Sequence, residues 1–94
     1  MGEQAQSAMK SWYLYVLECS DGTLYTGVTT DLQRRIVEHN SSRKGAKYTM
    51  TRRPVHLLWS KQCGSRSEAQ SEEYKFKKLS RKNKLKEMEE AKND

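Results

Sequence analysis

Residues 12–28, WYLYVLECSDGTLYTGV, decide the fold. Residues 12–17 carry only apolar or aromatic side chains, which is typical of a β-strand buried on both faces. Residues 23–28 are also rich in β-branched and aromatic side chains and predict a second strand. An Asp21-Gly22 pair, a common turn sequence, lies between them. The segment therefore predicts a β-hairpin whose tyrosines face the helix that follows.

The length of the turn decides whether the tyrosines share a face, because side chains alternate along a strand. A two-residue Asp-Gly turn would put Tyr15 and Tyr25 on opposite faces. A three-residue loop of residues 20–22, with Gly22 in the left-handed conformation of a bulge, would pair Leu17 with Tyr25. Both tyrosines would then lie on one face, and this is the arrangement that we expect.

In the expected register Tyr13 joins the other two tyrosines on the same face. Gly27 would then lie opposite Tyr15. Since glycine has no side chain, it would leave space above the sheet where a ligand can approach. Gly22 and Gly27 are therefore predicted to have structural roles in the hairpin.

The next segment predicts a helix of about three turns that begins with a capping box at Thr30. Leu32 and Ile36 are four residues apart and define its buried stripe. Arg35 and His39 lie one turn apart along an edge of that stripe, so both can reach the sheet. The alternative is that Arg35 only extends along the surface and that His39 merely ends the helix.

A second helix is predicted from the start pattern at Ser65–Glu68. Its apolar stripe passes through Ala69 and Phe76, and Glu72 and Glu73 fall beside this stripe. A carboxylate near a buried face needs a cation, a metal or hydrogen bonds, because burying it without a partner is costly. Either glutamate is thus a candidate ligand. Alternatively, both are acids favoured near the helix start by the helix dipole.

Basic residues dominate the composition of this 94-residue chain, which has a net charge of +6 and a pI near 9.4. Such a balance suits a polyanionic partner and indicates nucleic acid, for which DNA is our expectation. The basic residues form two clusters, at residues 43–53 and 75–84, although a plain solvated face explains either one equally well. The candidate nucleic-acid contacts are Arg43, Lys44, Lys47, Arg52, Arg53, Lys77, Lys78 and Arg81.

The overall pattern predicts one small α/β (α+β) domain over residues 11–86. It should contain a three-stranded sheet with an antiparallel N-terminal hairpin, flanked by helices, and its third strand should follow Pro54. The polar stretch of residues 41–53 should form a loop over the site. Residues 1–10 and 87–94 lack periodicity and are expected to be a disordered extension and a loose tail.

No segment predicts membrane insertion or secretion. The longest apolar run, Trp12–Leu17, is far shorter than the roughly 20 residues that span a bilayer, and the amino terminus lacks a signal-peptide core. Cys19 and Cys63 have no metal-binding spacing and are expected to be reduced thiols. These features favour a cytoplasmic protein.

The order and spacing of these residues resemble the GIY-YIG nuclease superfamily. Tyr15 precedes Tyr25 by ten residues, Arg35 follows Gly27 by eight, and His39 follows one turn later. The runs LYTGVTTDLQRRIVEHN, GAKYT, RRPVHLLWS and SEAQSEEYKFKKLSRKNK resemble the small, stand-alone and uncharacterised bacterial members. The resemblance covers residues 11–86.

The resemblance implies a role for each matching residue. Tyr15 and Tyr25 match the two motif tyrosines, Arg35 the catalytic arginine, and His39 a position that is histidine or tyrosine in relatives. Glu73 matches the metal-binding glutamate, since the family glutamate precedes an aromatic residue. The implied cofactor is one Mg²⁺ or Mn²⁺ ion.

The chain departs from the family pattern at four positions. The first motif has Tyr13-Leu14 in place of Gly-Ile, and the second has Thr26 in place of isoleucine. Val28 stands where relatives often have lysine, so that positive charge is either missing or supplied by Lys47. None of these departures removes a motif tyrosine.

The function that the resemblance implies is metal-dependent hydrolysis of DNA phosphodiesters, in branched or damaged DNA of repair or recombination. Tyr15 is the first candidate for the general base and Tyr25 the second, provided that Arg35 or the metal lowers a phenol pKa from about 10. His39 would orient or relay a proton. The alternatives are a nucleic-acid-binding module that cuts weakly or not at all, and an interaction protein. An unidentified protein partner is a further expectation.

Overall fold

The computed structural model describes residues 11–92 and contains three strands and four helices within that range. The strands are β1 (Trp12–Glu18), β2 (Leu24–Thr29) and β3 (His56–Cys63); the helices are α1 (Leu32–Ser41), α2 (Lys47–Met50), α3 (Arg66–Lys77) and α4 (Arg81–Lys92). The sheet has the order β2-β1-β3, and β1 pairs antiparallel with both neighbours. The predicted three-stranded sheet with flanking helices is confirmed.

The central position of β1 explains its apolar sequence. On one face, Tyr15 and Leu17 pack with Val55 and with Leu32 and Ile36 of α1. The other face lies against α3 and α4 and buries Leu14, Val16, Ala69, Phe76 and Met88. A strand with helices on both faces needs apolar side chains at every position.

The hairpin has the three-residue loop that the sequence favours. The Cys19 backbone N–H donates to the Thr23 carbonyl at 2.9 Å, and Gly22 has a φ of 84°. Leu17 pairs with Tyr25, so the predicted register is confirmed. This register brings the two motif tyrosines to the same face of the sheet.

Two sequence-based expectations about helix ends are wrong. The N-cap of α1 is Asp31 rather than Thr30, because the Asp31 side chain accepts the Arg34 backbone N–H at 3.1 Å. Residues 87–92 belong to α4 instead of a loose tail, because Met88 is buried against Val16 and Phe76. The start of α3 at Ser65 is confirmed. The expected N-terminal extension, residues 1–10, lies outside the described residues.

Candidate active site

Two tyrosines and a histidine form an aromatic cluster between β1, β2 and α1. The ring centroids of Tyr15 and Tyr25 are 6.5 Å apart, and the His39 ring lies 5.9 Å from Tyr15 and 5.1 Å from Tyr25. Tyr15 and His39 have 1% and 0% of their surface exposed. The three residues that the sequence singled out are therefore brought together.

Gly27 makes this packing possible, although not in the expected way. A Cβ atom at this position would lie only 2.5 Å from the Tyr15 hydroxyl oxygen and 2.7 Å from its Cζ. The space above Gly27 is thus filled by the Tyr15 ring, and the expectation that it is open to a ligand is wrong. Glycine is needed because the phenol crosses directly over the backbone of β2.

A chain of hydrogen bonds runs inward from the Tyr15 hydroxyl. This hydroxyl lies 2.8 Å from His39 Nε2, and His39 Nδ1 lies 2.8 Å from the Thr49 hydroxyl. Thr49 is fully buried in α2 and donates to the Ala46 carbonyl at 2.9 Å. The sequence pattern does not identify Thr49 as a site residue, and its only signal is its place in the GAKYT run.

Burial determines the protonation of both partners. It lowers the pKa of His39 to about 4, with help from the nearby charge of Arg35. Burial likewise raises the pKa of Tyr15 to about 12, although hydrogen bonding and charge from Arg35 act in the opposite direction. The condition under which Tyr15 can act as a base, a lowered phenol pKa, is therefore not met by Arg35 in the free protein, where burial is the larger effect.

Arg35 reaches this cluster from α1 but also has close partners of its own. Its Nη1 donates to Glu38 Oε1 at 2.8 Å and to the Lys44 carbonyl at 2.7 Å. Helical spacing alone would turn Glu38 outward; instead its carboxylate pairs with Arg35. Both contacts use Nη1, so a phosphate that binds Arg35 through this nitrogen must share or displace these acceptors.

Glu73 approaches from the opposite layer, since α3 packs against the other face of the sheet. Its charge nevertheless contributes to raising the pKa of Tyr15, so the carboxylate acts on the same phenol as Arg35. Glu73 Oε2 pairs with Lys77 Nζ at 3.1 Å, whereas Glu72 pairs with Lys61 at 3.4 Å. Lys77 lines a groove with Tyr25, whereas Glu72 lies with Lys61 of β3, so Glu73 is the glutamate on the side of the tyrosines.

The donor set at Glu73 fits a magnesium-like ion. Within residues 11–92 no group of three or more His, Cys, Asp or Glu side chains is arranged to hold a metal. Mg²⁺ commonly binds through one or two carboxylates while its other positions hold water and substrate phosphate. A single carboxylate such as Glu73 would therefore be sufficient for such an ion when a substrate phosphate supplies further ligands, and it is too small a set for structural zinc.

A groove of about 210 Å³ opens along β2, the edge strand nearest the site. Residues of α2 line the groove, together with residues of α3 and α4. Tyr48 of α2 stacks on Tyr25, and their ring centroids are 6.0 Å apart. The residues that line the groove are Leu24, Tyr25, Thr26, Tyr48, Lys77 and Lys84.

The basic candidates divide into exposed and internal groups. Arg52 pairs with Asp21 at 3.0 Å and lies 3.9 Å above the Tyr48 ring, and Arg53 donates to the carbonyls of His39 and Ser42. Arg81 donates to the Gly22 carbonyl at 2.7 Å. Arg52 and Arg53 are half-buried and support the packing of the fold, whereas Arg81 is exposed. A nucleic-acid role for all eight candidates stays a prediction. The exposed candidates are Arg43, Lys44, Lys47, Lys77, Lys78 and Arg81.

The remaining sequence-based expectations concern thiols and membranes. Cys19 and Cys63 are both free and buried, as expected. Burial raises the pKa of each thiol, which keeps both protonated and unreactive. Over residues 11–92 the helices are too short or too polar to cross a bilayer.

Comparison with known proteins gives consistent results. The model of the GIY-YIG catalytic domain matches residues 11–86. The chain is 51% identical over 78 residues to the UPF0213 protein DP2720 of Desulfotalea psychrophila, covering 83% of this chain and 71% of that protein. It is 54% identical over 82 residues to the UPF0213 protein SAG0778 of Streptococcus agalactiae, covering 87% and 92%. The solution NMR structure of the protein EF2693 from E. faecalis is similar, with a TM-score of 0.65, 44% identity and 90% coverage of both chains.

Proposed function

The chain belongs to the GIY-YIG nuclease superfamily, and we propose that it is a metal-dependent endonuclease that hydrolyses DNA phosphodiester bonds. The observation that carries this proposal is the cluster of Tyr15, Tyr25 and His39. Arg35 lies one turn from His39 on α1, and Glu73 pairs with Lys77, which lines the groove with Tyr25, so the charges of Arg35 and Glu73 both act on the phenol of Tyr15. An arginine and a carboxylate at one phenol suit a phosphate held together with a cation. Binding alone would gain nothing from a carboxylate there, because it repels phosphate.

Glu73 is the residue that would hold the divalent cation, Mg²⁺ or Mn²⁺. When bound, the cation would neutralise charge on the scissile phosphate and stabilise the leaving oxygen. Lys77 now pairs with this carboxylate at 3.1 Å and would be released to contact a neighbouring phosphate. The net charge of +6 supports the same polyanionic substrate. We propose that the substrate is branched or damaged DNA and that the protein acts in the cytoplasm.

Tyr15 and His39 would move the proton of the attacking water together. With a pKa of about 12, the Tyr15 phenol remains protonated at neutral pH and cannot act as a base alone. It would take a proton from water while its own proton passes to His39 Nε2, 2.8 Å away. The water oxygen then bonds to phosphorus, the bond to the leaving oxygen breaks, and that oxygen takes a proton from solvent.

His39 can accept this proton because the substrate changes its surroundings. In the free protein burial and the charge of Arg35 hold its pKa to about 4, so the imidazole is neutral and its Nε2 lone pair is available. An anionic phosphate placed beside the cluster favours the imidazolium form and offsets part of that effect. Arg35 would bind two phosphate oxygens at once through its planar fork of donors.

A second candidate function, nucleic-acid binding with weak cutting, is favoured by the contacts of Arg35. Its Nη1 is already held by the Glu38 carboxylate and the Lys44 carbonyl. If these contacts persist when DNA binds, the guanidinium cannot move onto the scissile phosphate. The basic surface would then bind DNA without efficient hydrolysis.

The test is a cleavage assay on labelled single-stranded, duplex and branched DNA with Mg²⁺, Mn²⁺ or EDTA. We expect metal-dependent cutting that is lost in Glu73→Gln and Arg35→Ala. The matched controls are Glu72→Gln, which removes the adjacent carboxylate, and Arg34→Ala, which removes the adjacent exposed arginine; both should cut normally. Salt-sensitive binding without cutting under all metal conditions would reject the nuclease and favour the binding module.

A further inference from the structure

Thr49 lies next to the proposed site without any route to the substrate. It is 0% exposed, belongs to the short helix α2 and contacts the His39 ring on the side away from Tyr15. A valine of the same shape would fill this volume equally well in a purely structural position. The hydroxyl therefore requires a reason beyond packing.

The single hydrogen of the Thr49 hydroxyl explains why a hydroxyl is needed here. A threonine hydroxyl has one hydrogen, and Thr49 donates it to the Ala46 carbonyl at 2.9 Å. Its oxygen must then accept from His39 Nδ1, 2.8 Å away, so Nδ1 carries the proton. The Ala46 backbone N–H is also directed at Nδ1 as a donor, at 3.4 Å, a contact that only the opposite tautomer would use. The shorter contact of Nδ1 with Thr49, at 2.8 Å, favours the proton on Nδ1.

A proton on Nδ1 determines the role of the other ring nitrogen. In a neutral imidazole only one nitrogen is protonated, so Nε2 carries the lone pair. Nε2 is the atom that lies 2.8 Å from the Tyr15 hydroxyl, which must therefore be the donor. With the opposite tautomer, the ring would donate to Tyr15 and could not receive its proton.

We propose that Thr49 is a positioning residue that fixes the Nδ1–H tautomer of His39, so that Nε2 can take the phenolic proton of Tyr15. The inference rests on the proposed nuclease function for its role in catalysis, although the tautomer itself is a property of the free protein. During hydrolysis, Nε2 gains the Tyr15 proton while Nδ1 keeps its own hydrogen bond to Thr49. The resulting imidazolium loses the Nε2 proton to solvent after the product leaves.

The first measurement is long-range ¹H–¹⁵N NMR of the metal-free full chain at pH 7, which reports the tautomer of each histidine. His56 is an exposed internal reference, paired with Glu18 at 3.1 Å. We expect wild-type His39 to be protonated at Nδ1 and Thr49→Ser to keep that state. Thr49→Val should shift the ring toward the Nε2–H form. A wild-type ring protonated at Nε2 overturns the proposal, even if Thr49→Val fails to fold.

The second measurement is steady-state cleavage by the same variants. We expect Thr49→Val to lose at least about tenfold in kcat with KM unchanged, because a wrong tautomer impairs proton transfer and not binding, while Thr49→Ser restores cutting. If Thr49→Val cuts like the wild type, the proposal is wrong. If the wild type never cuts but the tautomer depends on Thr49 as expected, the proposed function fails and the positioning role stands.

Discussion

Glu73 Oε2 lies 3.1 Å from Lys77 Nζ, one helical turn further along α3. The ammonium group of Lys77 thus supplies the positive charge at this carboxylate that the proposed divalent cation would supply when bound. Metal binding must therefore compete with this ion pair, which an i, i+4 spacing favours only weakly.

This competition predicts opposite effects for the two partners. Glu73→Gln should abolish Mn²⁺ binding at the site, and Lys77→Gln should strengthen it several-fold by removing the competing charge. Paramagnetic broadening of α3 amide signals during a Mn²⁺ titration measures both effects. Glu72→Gln, which loses the separate pair with Lys61, is the control and should broaden like the wild type. Unchanged broadening in Glu73→Gln would exclude this carboxylate as the ligand.

Tyr15→Phe removes only the hydroxyl that contacts His39 Nε2. We expect loss of cutting by about 10²–10⁴-fold, the range of general acid–base catalysis. The free energy of unfolding should fall by about 1–3 kcal/mol, because a buried ring nitrogen loses its partner. Cleavage and urea unfolding measure the two effects. Tyr13→Phe, on the same face of β1, is the control, and equal losses in both variants would argue against a special role for Tyr15.

The hairpin shows what the sequence alone could predict. Gly22 in a three-residue loop fixes the register, and the register in turn fixes which tyrosines share a face. The position of Arg35 and His39 on one helical edge followed from Leu32 and Ile36 in the same local manner. These predictions needed only contacts between neighbouring segments of the chain.

Other features depend on contacts between distant segments and could not be predicted. The pKa of Tyr15 reflects its burial by three different elements, and the tautomer of His39 depends on a hydroxyl ten residues away. The sequence of residues 87–92 does not predict a packed helix, because Met88 is a single buried residue in a highly charged stretch. The carbonyl partners of Arg53 likewise arise only when the segment between α1 and β3 has folded back on α1.

The burial of His39 predicts a loss of stability in mild acid. Its pKa is about 4 in the folded protein against an ordinary value of 6.5, so the unfolded chain binds a proton more readily. The free energy of unfolding should reach its plateau above pH 6.5 and fall by about 3 kcal/mol as the pH drops to 4. Asp21 and Glu38, whose pKa values are lowered by hydrogen bonds from Thr23 and Arg35, add to the fall only near the acid end of this range and below it.

Urea unfolding at half-unit steps between pH 8 and pH 4 measures this fall. His56→Gln is the matched control, because it removes the other, exposed histidine, and the fall in stability should persist in this variant. A flat profile between pH 6.5 and pH 5 would mean that His39 is not held neutral by burial. The result is independent of any catalytic activity.

Thr26, which stands at the isoleucine position of the GIY-YIG motif, offers a stabilising substitution. Its buried Oγ1 has no hydrogen-bond partner within residues 11–92, so it loses contact with water without compensation. Thr26→Val keeps the shape and should raise the free energy of unfolding by about 1 kcal/mol. Thr29→Val on the same strand is the control; it should be destabilising, because Thr29 Oγ1 accepts the Asp31 N–H at 3.1 Å. If urea unfolding gives both variants the same sign, the hydroxyl contacts do not determine the effect.

Gly27→Ala tests whether the close approach of Tyr15 to β2 is required. The new Cβ would lie 2.5 Å from the Tyr15 hydroxyl oxygen, and the ring cannot retreat without leaving His39. We expect a loss of about 1–3 kcal/mol in the free energy of unfolding and a large fall in cutting. Gly64→Ala is the control, because its Cβ would meet only the flexible end of Glu68, at 2.7 Å, and should be nearly neutral. Full activity in a stably folded Gly27→Ala would show that cutting does not require the 2.8 Å contact between the Tyr15 hydroxyl and His39 Nε2.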